Sequence, residues 1–185
     1  MELNGYSRLY DMPPRCLQGL SASSDPDNVL HPLPRKWRLG CTCGATGATL
    51  HGYPLGHLNP LYPQNRTLLS PVDYECISCR RRVEILDTDI HGVASEGVRL
   101  EGRPGDIGCT AYRGEGPKTP FGCPVCGETQ MSNVIAIFHY NDLGLADLLD
   151  EYPNIHLENM FSHVNFTGTC SRCGHLCEIL DISTS

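Results

Sequence analysis

The sequence predicts a β-rich fold of the small α+β class, built from two similar units that each carry a short antiparallel sheet. Four short cysteine pairs run along the chain, and the second and fourth share the motif C-x-x-C-x4-E-I-L-D, whose copies begin at Cys76 and Cys170. Nineteen glycines and fourteen prolines in 185 residues favour strands and loops over long helices. We therefore expect one structural unit used twice, with one short helix in the second unit.

The predicted boundaries divide the chain into four segments. Residues 1–34 form an N-terminal extension, which is either a tail or a segment packed along the first unit. The first unit spans residues 35–90, a glycine-rich linker or hairpin spans 91–116, and the second unit spans 117–185.

Strands are predicted where β-branched and aromatic residues cluster. Residues 134–140 form an apolar run typical of a buried strand, and residues 163–169 alternate as they lead into the last cysteine pair. Residues 83–86 and 177–180, after the repeated cysteine pairs, predict returning strands. Residues 52–71, rich in Pro and Gly, predict mostly loop.

The one predicted helix lies in the second unit. Asn141 or Asp142 can cap a helix that begins at Leu143 and runs to about Glu151, and Pro153 ends it.

The cysteine pairs are interpreted as metal ligands. Two cysteines separated by two residues on a tight turn bring both sulfur atoms to one ion, and structural zinc commonly takes four cysteines in a tetrahedron. The weak point is Cys41-Thr-Cys43, which is one residue shorter than the usual spacing. Pairing within units predicts two groups, Cys41/Cys43/Cys76/Cys79 and Cys123/Cys126/Cys170/Cys173.

Two structural zinc ions per chain are the predicted cofactors. Iron is the alternative metal, because four thiolates suit both. Disulfides or free core thiols are the alternative to metal. Cys177 occupies the place of Val83 in the repeat, which favours a buried apolar role, whereas the pattern assigns no role to Cys16 or Cys109.

Charge and hydropathy limit the compartment and the partners. We find no export signal and no apolar run of the roughly 20 residues that a membrane span needs, so we expect a reducing, cytoplasmic location and no membrane association. The formal net charge is −7, and two filled four-thiolate sites would each add −2 and bring it to about −11. An acidic chain is not typical of a general nucleic-acid binder.

One basic cluster nevertheless keeps nucleic-acid binding open as an alternative. A shared metal would bring the residues before one cysteine pair close to those after its partner pair, which would leave a basic face with one aromatic ring. A solvated face is the competing interpretation. The predicted contact residues are Arg35, Lys36, Trp37, Arg38, Arg80, Arg81 and Arg82.

Two motif resemblances add expectations. Cys123-Pro-Val-Cys126-Gly127 resembles the first knuckle of the zinc-ribbon class, and Cys170-x-x-Cys173-Gly174 resembles the second. This resemblance covers about a third of the chain and implies a structural metal and a small antiparallel sheet, as in a zinc-ribbon-like unit, without indicating a specific family.

The order Gly40-Cys-Thr-Cys-Gly44, Cys79-Arg-Arg and Phe121-Gly-Cys-Pro-Val-Cys-Gly127 resembles the motifs of the glutathione-dependent formaldehyde-activating enzymes. That resemblance implies a thiol-adduct lyase with one structural and one catalytic zinc. The chain departs from the pattern at Tyr74, where the family has a further cysteine, and the pattern leaves Cys170 and Cys173 unexplained.

The sequence thus predicts a non-enzymatic, zinc-stabilised binding protein. Its partner is expected to be a protein with a basic surface, as for an immunity-type or adaptor protein. Nucleic-acid binding and thiol-adduct lyase activity are the alternatives.

Overall fold

The structure, a computed structural model, describes residues 12–25, 34–57, 61, 64–92, 114, 116–140, 150 and 152–183. Strands dominate these residues. The strands are β1 (Ser21–Ser24), β2 (Arg35–Gly40), β3 (Ala48–Pro54), β4 (Leu68–Cys76), β5 (Arg82–Leu86), β6 (Thr119–Pro120), β7 (Met131–His139), β8 (His163–Cys170) and β9 (Leu176–Ser183).

All these strands belong to one nine-stranded sheet, ordered β1-β2-β7-β8-β9-β4-β3-β6, with β5 paired to β4. An additional pairing of β7 with β3 closes β7, β8, β9, β4 and β3 into a five-stranded barrel. Two short contacts complete this closure. Ala48 pairs with Met131 in the antiparallel β3–β7 contact, and Leu68 pairs with Leu180 in the parallel β4–β9 contact.

The barrel corrects the predicted fold class. The prediction of β-rich structure is right, but the small α+β arrangement of two separate zinc-ribbon-like sheets is wrong. Strands of both predicted units share one sheet. Strand β7 has nine residues where seven were predicted, and β4, also of nine residues, begins inside the span 52–71 that was predicted as mostly loop. Strands of that length extend beyond the cysteine turns, so the two halves pair with each other and bury their inner faces together.

The prediction of this helix is not matched: the described residues include no helix of seven residues or more, and the one described residue of the predicted span, Asp150, is helical. Most of its span, 143–151, lies outside them. Among the described residues, short 3-10 helices span Arg15–Leu17, Leu55–His57 and Leu157–Asn159. In the described part of the chain, no helix is long and apolar enough to cross a membrane.

The inner faces of the barrel strands form the core. Every second residue of β8 is buried, including Val164 and Phe166, while the residues between them are half-buried. Phe138 of β7 packs edge-on against Phe161 and Phe166. This alternation is typical of a sheet with one face on a core and one toward solvent.

Part of the N-terminal extension packs onto this scaffold. Leu17 and Leu20 belong to the hydrophobic core, and Ser21–Ser24 pairs with β2 as an edge strand. Residues 12–25 are therefore part of the folded structure, whereas residues 1–11 lie outside the described ranges.

Candidate metal centres

The structure gathers the eight predicted ligands into the two predicted groups. Within each group the sulfur atoms all lie within 4.8 Å of one another. In the first group, Cys41 Sγ is 3.5 Å from Cys79 Sγ, and Cys43 Sγ is 3.7 Å from Cys76 Sγ. In the second group, the corresponding distances are 3.7 Å for Cys123–Cys173 and 3.5 Å for Cys126–Cys170.

These distances match a tetrahedral metal site. With a Zn–S bond of about 2.3 Å, two thiolates on one tetrahedral ion lie about 3.8 Å apart. A disulfide would require about 2.05 Å. The ten cysteines of the described residues are all free of disulfides, and Cys109 lies outside those residues. The two groups can therefore each hold one metal ion, although the spacing does not distinguish zinc from iron.

Each group is built from two tight turns that follow a common hydrogen-bonding plan. In the turn that begins at Cys123, the Gly127 N–H donates to the Cys123 carbonyl at 2.9 Å, and the Cys123 N–H donates to the Glu128 carbonyl at 2.8 Å. The turns beginning at Cys76 and Cys170 have the same two bonds. The Cys41 turn is one residue shorter and keeps the plan, through Gly44 and Ala45.

The residue directly after the second cysteine of each turn adopts a positive φ. Gly44, Gly127 and Gly174 have φ values of 93°, 76° and 71°, where glycine pays no steric penalty. Arg80 takes the same position at 62°, which is strained for a residue with a side chain. The backbone path is therefore common to all four turns even where the sequence lacks glycine.

Backbone N–H groups favour thiolates in these turns. The Cys43 N–H is the largest influence on Cys41 and, against the opposing effect of burial, helps to lower the pKa of Cys41 to about 6. Burial acts to raise the pKa of Cys123, but N–H groups of Cys126 and Val125 and neighbouring thiols bring it down to about 6. Metal binding needs deprotonated sulfur, so these turns prepare Cys41 and Cys123 as ligands.

Both groups lie at the same end of the barrel. Ala48 pairs with Cys76 on one side and with Met131 on the other, and Met131 in turn pairs with Cys170. Neighbouring strands are about 4.8 Å apart, so three such steps place the two groups roughly 14 Å apart along the sheet. We refer to this region, with its four cysteine turns, as the metal end.

Each group contains cysteines of the hydrophobic core and cysteines exposed to solvent. Cys41, Cys76, Cys123 and Cys170 belong to the hydrophobic core, whereas Cys43, Cys79 and Cys173 are exposed. A site with four cysteine ligands leaves no open coordination position for water or substrate, which is the arrangement of a structural metal.

The remaining two described cysteines belong to neither group, although the Cys177 thiol is close to Cys123. Cys16 and Cys177 are both in the hydrophobic core. Burial is the largest cause of the raised pKa of Cys177, which reaches about 12. These two residues therefore behave as small apolar side chains. His175, inside the last turn, is exposed.

The predicted nucleic-acid contact residues do not form a common surface. Arg35 is 1% exposed and Trp37 is 3% exposed, because alternate residues of β2 point into the core. Lys36 and Arg38 are half-buried on the opposite face of the strand. Arg38 forms an ion pair with Asp25 at 3.0 Å and also donates to Asn133.

The three consecutive arginines after Cys79 are each held by a neighbour. Arg80 pairs with Glu75 at 2.7 Å, and Arg82 pairs with Asp73 at 2.7 Å. Arg81 donates to the Thr42 hydroxyl at 2.7 Å, which ties the two turns of the first group together. Two of these contacts are ion pairs that offset the charges of Arg80 and Arg82, and all three give the arginines a structural role.

A feature missed by the sequence argument is a set of exposed apolar side chains at the metal end. Ile77 lies inside the second cysteine turn and is 36% exposed. Val125 lies inside the third turn, Leu176 follows the fourth, and they are 65% and 66% exposed. For Ile77 and Val125 the sequence contained a signal of this exposure, because a large apolar residue inside a tight turn is unusual and turn residues are usually small or polar.

No family model, curated protein or solved structure matches this chain. The resemblances to zinc ribbons and to the formaldehyde-activating enzymes therefore rest on the cysteine motifs alone.

Proposed function

We propose that this chain is a zinc-stabilised binding protein whose metal end contacts a partner protein. Two structural zinc ions, one in each four-cysteine group, hold the cysteine turns rigid. The observation that carries the proposal is the exposure of Ile77, Val125 and Leu176 within or beside those turns.

Apolar side chains of this size are costly to leave in water. Burying one against a partner contributes about 1.5–3 kcal/mol. Three of the six large apolar side chains exposed among the described residues lie at the metal end, although the turns make up a small part of the chain. Because metal coordination fixes the turns, a partner would meet these side chains with little further loss of conformational entropy.

Charge supports a partner with a basic surface. The chain carries −7 without metal and about −11 with two filled sites, which speeds the approach of a positively charged protein. An immunity-type or adaptor role in the cytoplasm fits these properties, because a reducing compartment keeps the thiolates available for zinc.

Binding is favoured over the two alternatives. An enzymatic zinc needs an open coordination position, and each group supplies four sulfur ligands. Nucleic-acid binding would need the predicted arginines and the aromatic ring on a free surface, whereas Trp37 is in the core and Arg80 and Arg82 are ion-paired.

The test compares surface variants in partner capture. Val125→Ser and Leu176→Ser, alone and together, remove the exposed apolar groups without touching a ligand. Ile90→Ser is the matched control, because Ile90 is 56% exposed and lies outside the cysteine turns. A photo-crosslinking amino acid at position 125 then identifies what contacts the metal end in cells.

We expect a protein that crosslinks at position 125 and is captured by the wild type and by Ile90→Ser, but is lost with the double variant. Capture that is equal for all variants would contradict the proposal. Loss of capture on RNase or DNase treatment would favour the nucleic-acid alternative instead.

A further inference from the structure

We propose that the outer face of the barrel carries a third metal site, formed by His139, His163 and Asp181, that binds a divalent late transition metal exchangeably. Ni²⁺, Cu²⁺ and Zn²⁺ are the ions that suit two imidazoles and one carboxylate. This site is separate from both four-cysteine groups and does not depend on the proposed function.

Strand register brings the three side chains to one place. His139 of β7 pairs directly with His163 of β8. Asn165, two residues after His163, pairs with Asp181 of β9, so Asp181 lies diagonally across from His163. Alternate residues share a face, and the neighbours Phe138, Val164 and Ile182 are all buried in the core. The three polar side chains therefore share the outer face.

The His163 side chain already contacts the other two. The imidazole rings of His139 and His163 are stacked, with centroids 5.0 Å apart and planes 26° from parallel. The His163 Nε2 atom is hydrogen-bonded to the Asp181 carboxylate. The His163 and Asp181 side chains are 40% and 46% exposed, so an ion from solvent can reach both.

The arrangement has the chemistry of an open metal site. Histidine is largely neutral near pH 7 and offers a ring nitrogen, while the carboxylate supplies negative charge and oxygen. Three protein ligands leave one or more coordination positions for water or another ligand. Directly paired residues have Cβ atoms about 4.5–5.5 Å apart, a span that two imidazoles can bridge to one ion.

Binding requires a small rearrangement. The rings lie face to face, so the His139 ring must turn about its broad Cβ–Cγ torsion to aim a nitrogen at the ion. The ion then takes the place of the hydrogen bond between His163 and Asp181. This requirement, together with exposure, makes the site weaker and faster to exchange than the four-cysteine groups.

The third site is remote from the metal end. Strand β8 runs from His163 to Cys170, and seven steps of about 3.3 Å separate them by roughly 23 Å. Metal bound at the outer face can therefore be measured while the cysteine groups stay filled with zinc.

The experiment is a calorimetric titration of the zinc-loaded, full-length chain with NiCl₂. We expect one further binding event per chain in the wild type. His139→Asn and His163→Asn should each weaken it at least tenfold, and Asp181→Asn should weaken it less. His57→Asn is the matched control, since His57 is also exposed but lies on a 3-10 helix after β3. It should leave the affinity unchanged.

Elemental analysis after each titration confirms that the zinc content is unchanged, so that exchange into the cysteine groups is not mistaken for the third site. Paramagnetic broadening by Ni²⁺ provides a second readout, and the ring protons of His139 and His163 should broaden before those of other histidines. The proposal is overturned if the wild type shows no such event, or if a His139→Asn/His163→Asn double variant binds as tightly as the wild type.

Discussion

We predict that removing the buried hydroxyl of Tyr74 stabilises the protein, whereas most substitutions destabilise it. Tyr74 lies on β4 with none of its surface exposed, and its hydroxyl has no hydrogen-bond partner among the described residues. Burial, with the nearby cysteines of the first group, raises the pKa of Tyr74, so the group stays neutral. We expect Tyr74→Phe to increase the free energy of unfolding.

The magnitude follows from desolvation. A buried polar group without a partner costs about 1–3 kcal/mol, which the phenylalanine does not incur. The lost oxygen also forfeits a few van der Waals contacts worth about 0.1–0.2 kcal/mol each. The expected net gain is about 1 kcal/mol, which for a chain of this size raises Tm by roughly 2–4 °C.

Tyr140 provides a matched control with the opposite sign. It is 2% exposed, but its hydroxyl donates to the Glu158 carbonyl at 3.1 Å. Tyr140→Phe removes that bond and leaves a buried carbonyl with one partner fewer, so we expect a loss of about 1–2 kcal/mol. The same atom is deleted from the same residue type, so the difference in sign isolates the hydrogen bond.

The assay is urea unfolding followed by circular dichroism, at a fixed excess of zinc because bound metal shifts apparent stability. Metal content of each variant is checked first, so that a change in zinc occupancy is not read as a change in packing. If Tyr74→Phe lowered stability by about 1 kcal/mol or more, the hydroxyl would have a partner in solution and the reasoning would be wrong.

Three further predictions concern the metal, the turns and pH. Elemental analysis should find two zinc ions per wild-type chain and one in Cys43→Ser, because each group needs its four thiolates. Gly127→Ala should cost about 1–2 kcal/mol in urea unfolding, since φ is 76° and the added Cβ meets no atom of the described residues within 4 Å, so the cost is conformational. An unchanged urea midpoint would contradict this. Burial lowers the pKa of His91 in the folded chain, so the unfolded chain binds more protons. Stability should therefore fall as the pH drops below about 6.5. In His91→Gln this fall should be shallower, as measured by urea midpoints between neutral and mildly acidic pH.

The ligand sets could be predicted from the sequence because each cysteine turn is a local structure. A hydrogen bond from the residue after the second cysteine back to the first fixes the turn within five residues. The repeated E-I-L-D motif after Cys76 and Cys170 then indicates which turns are equivalent. The positions of strands β8 and β9 were also close to prediction, since alternation and β-branched residues are local signals.

The sequence also contained the information needed to predict that Trp37 is buried, although the basic surface was predicted to include it. Arg35, Trp37 and Leu39 alternate along one strand and are all buried, whereas Lys36 and Arg38 occupy the other face. A period-2 reading of β2 would have separated Trp37 from the proposed basic surface.

The amino-acid sequence by itself determined which cysteines form the metal groups and that strands dominate the chain. Closure of the barrel was decided only by the tertiary structure. It depends on the contacts Ala48–Met131 and Leu68–Leu180, which join residues far apart in sequence and leave no local pattern. The same closure brings both cysteine groups to one end and aligns His139, His163 and Asp181 on the outer face, because strand register is set by how whole inner faces pack into a shared core.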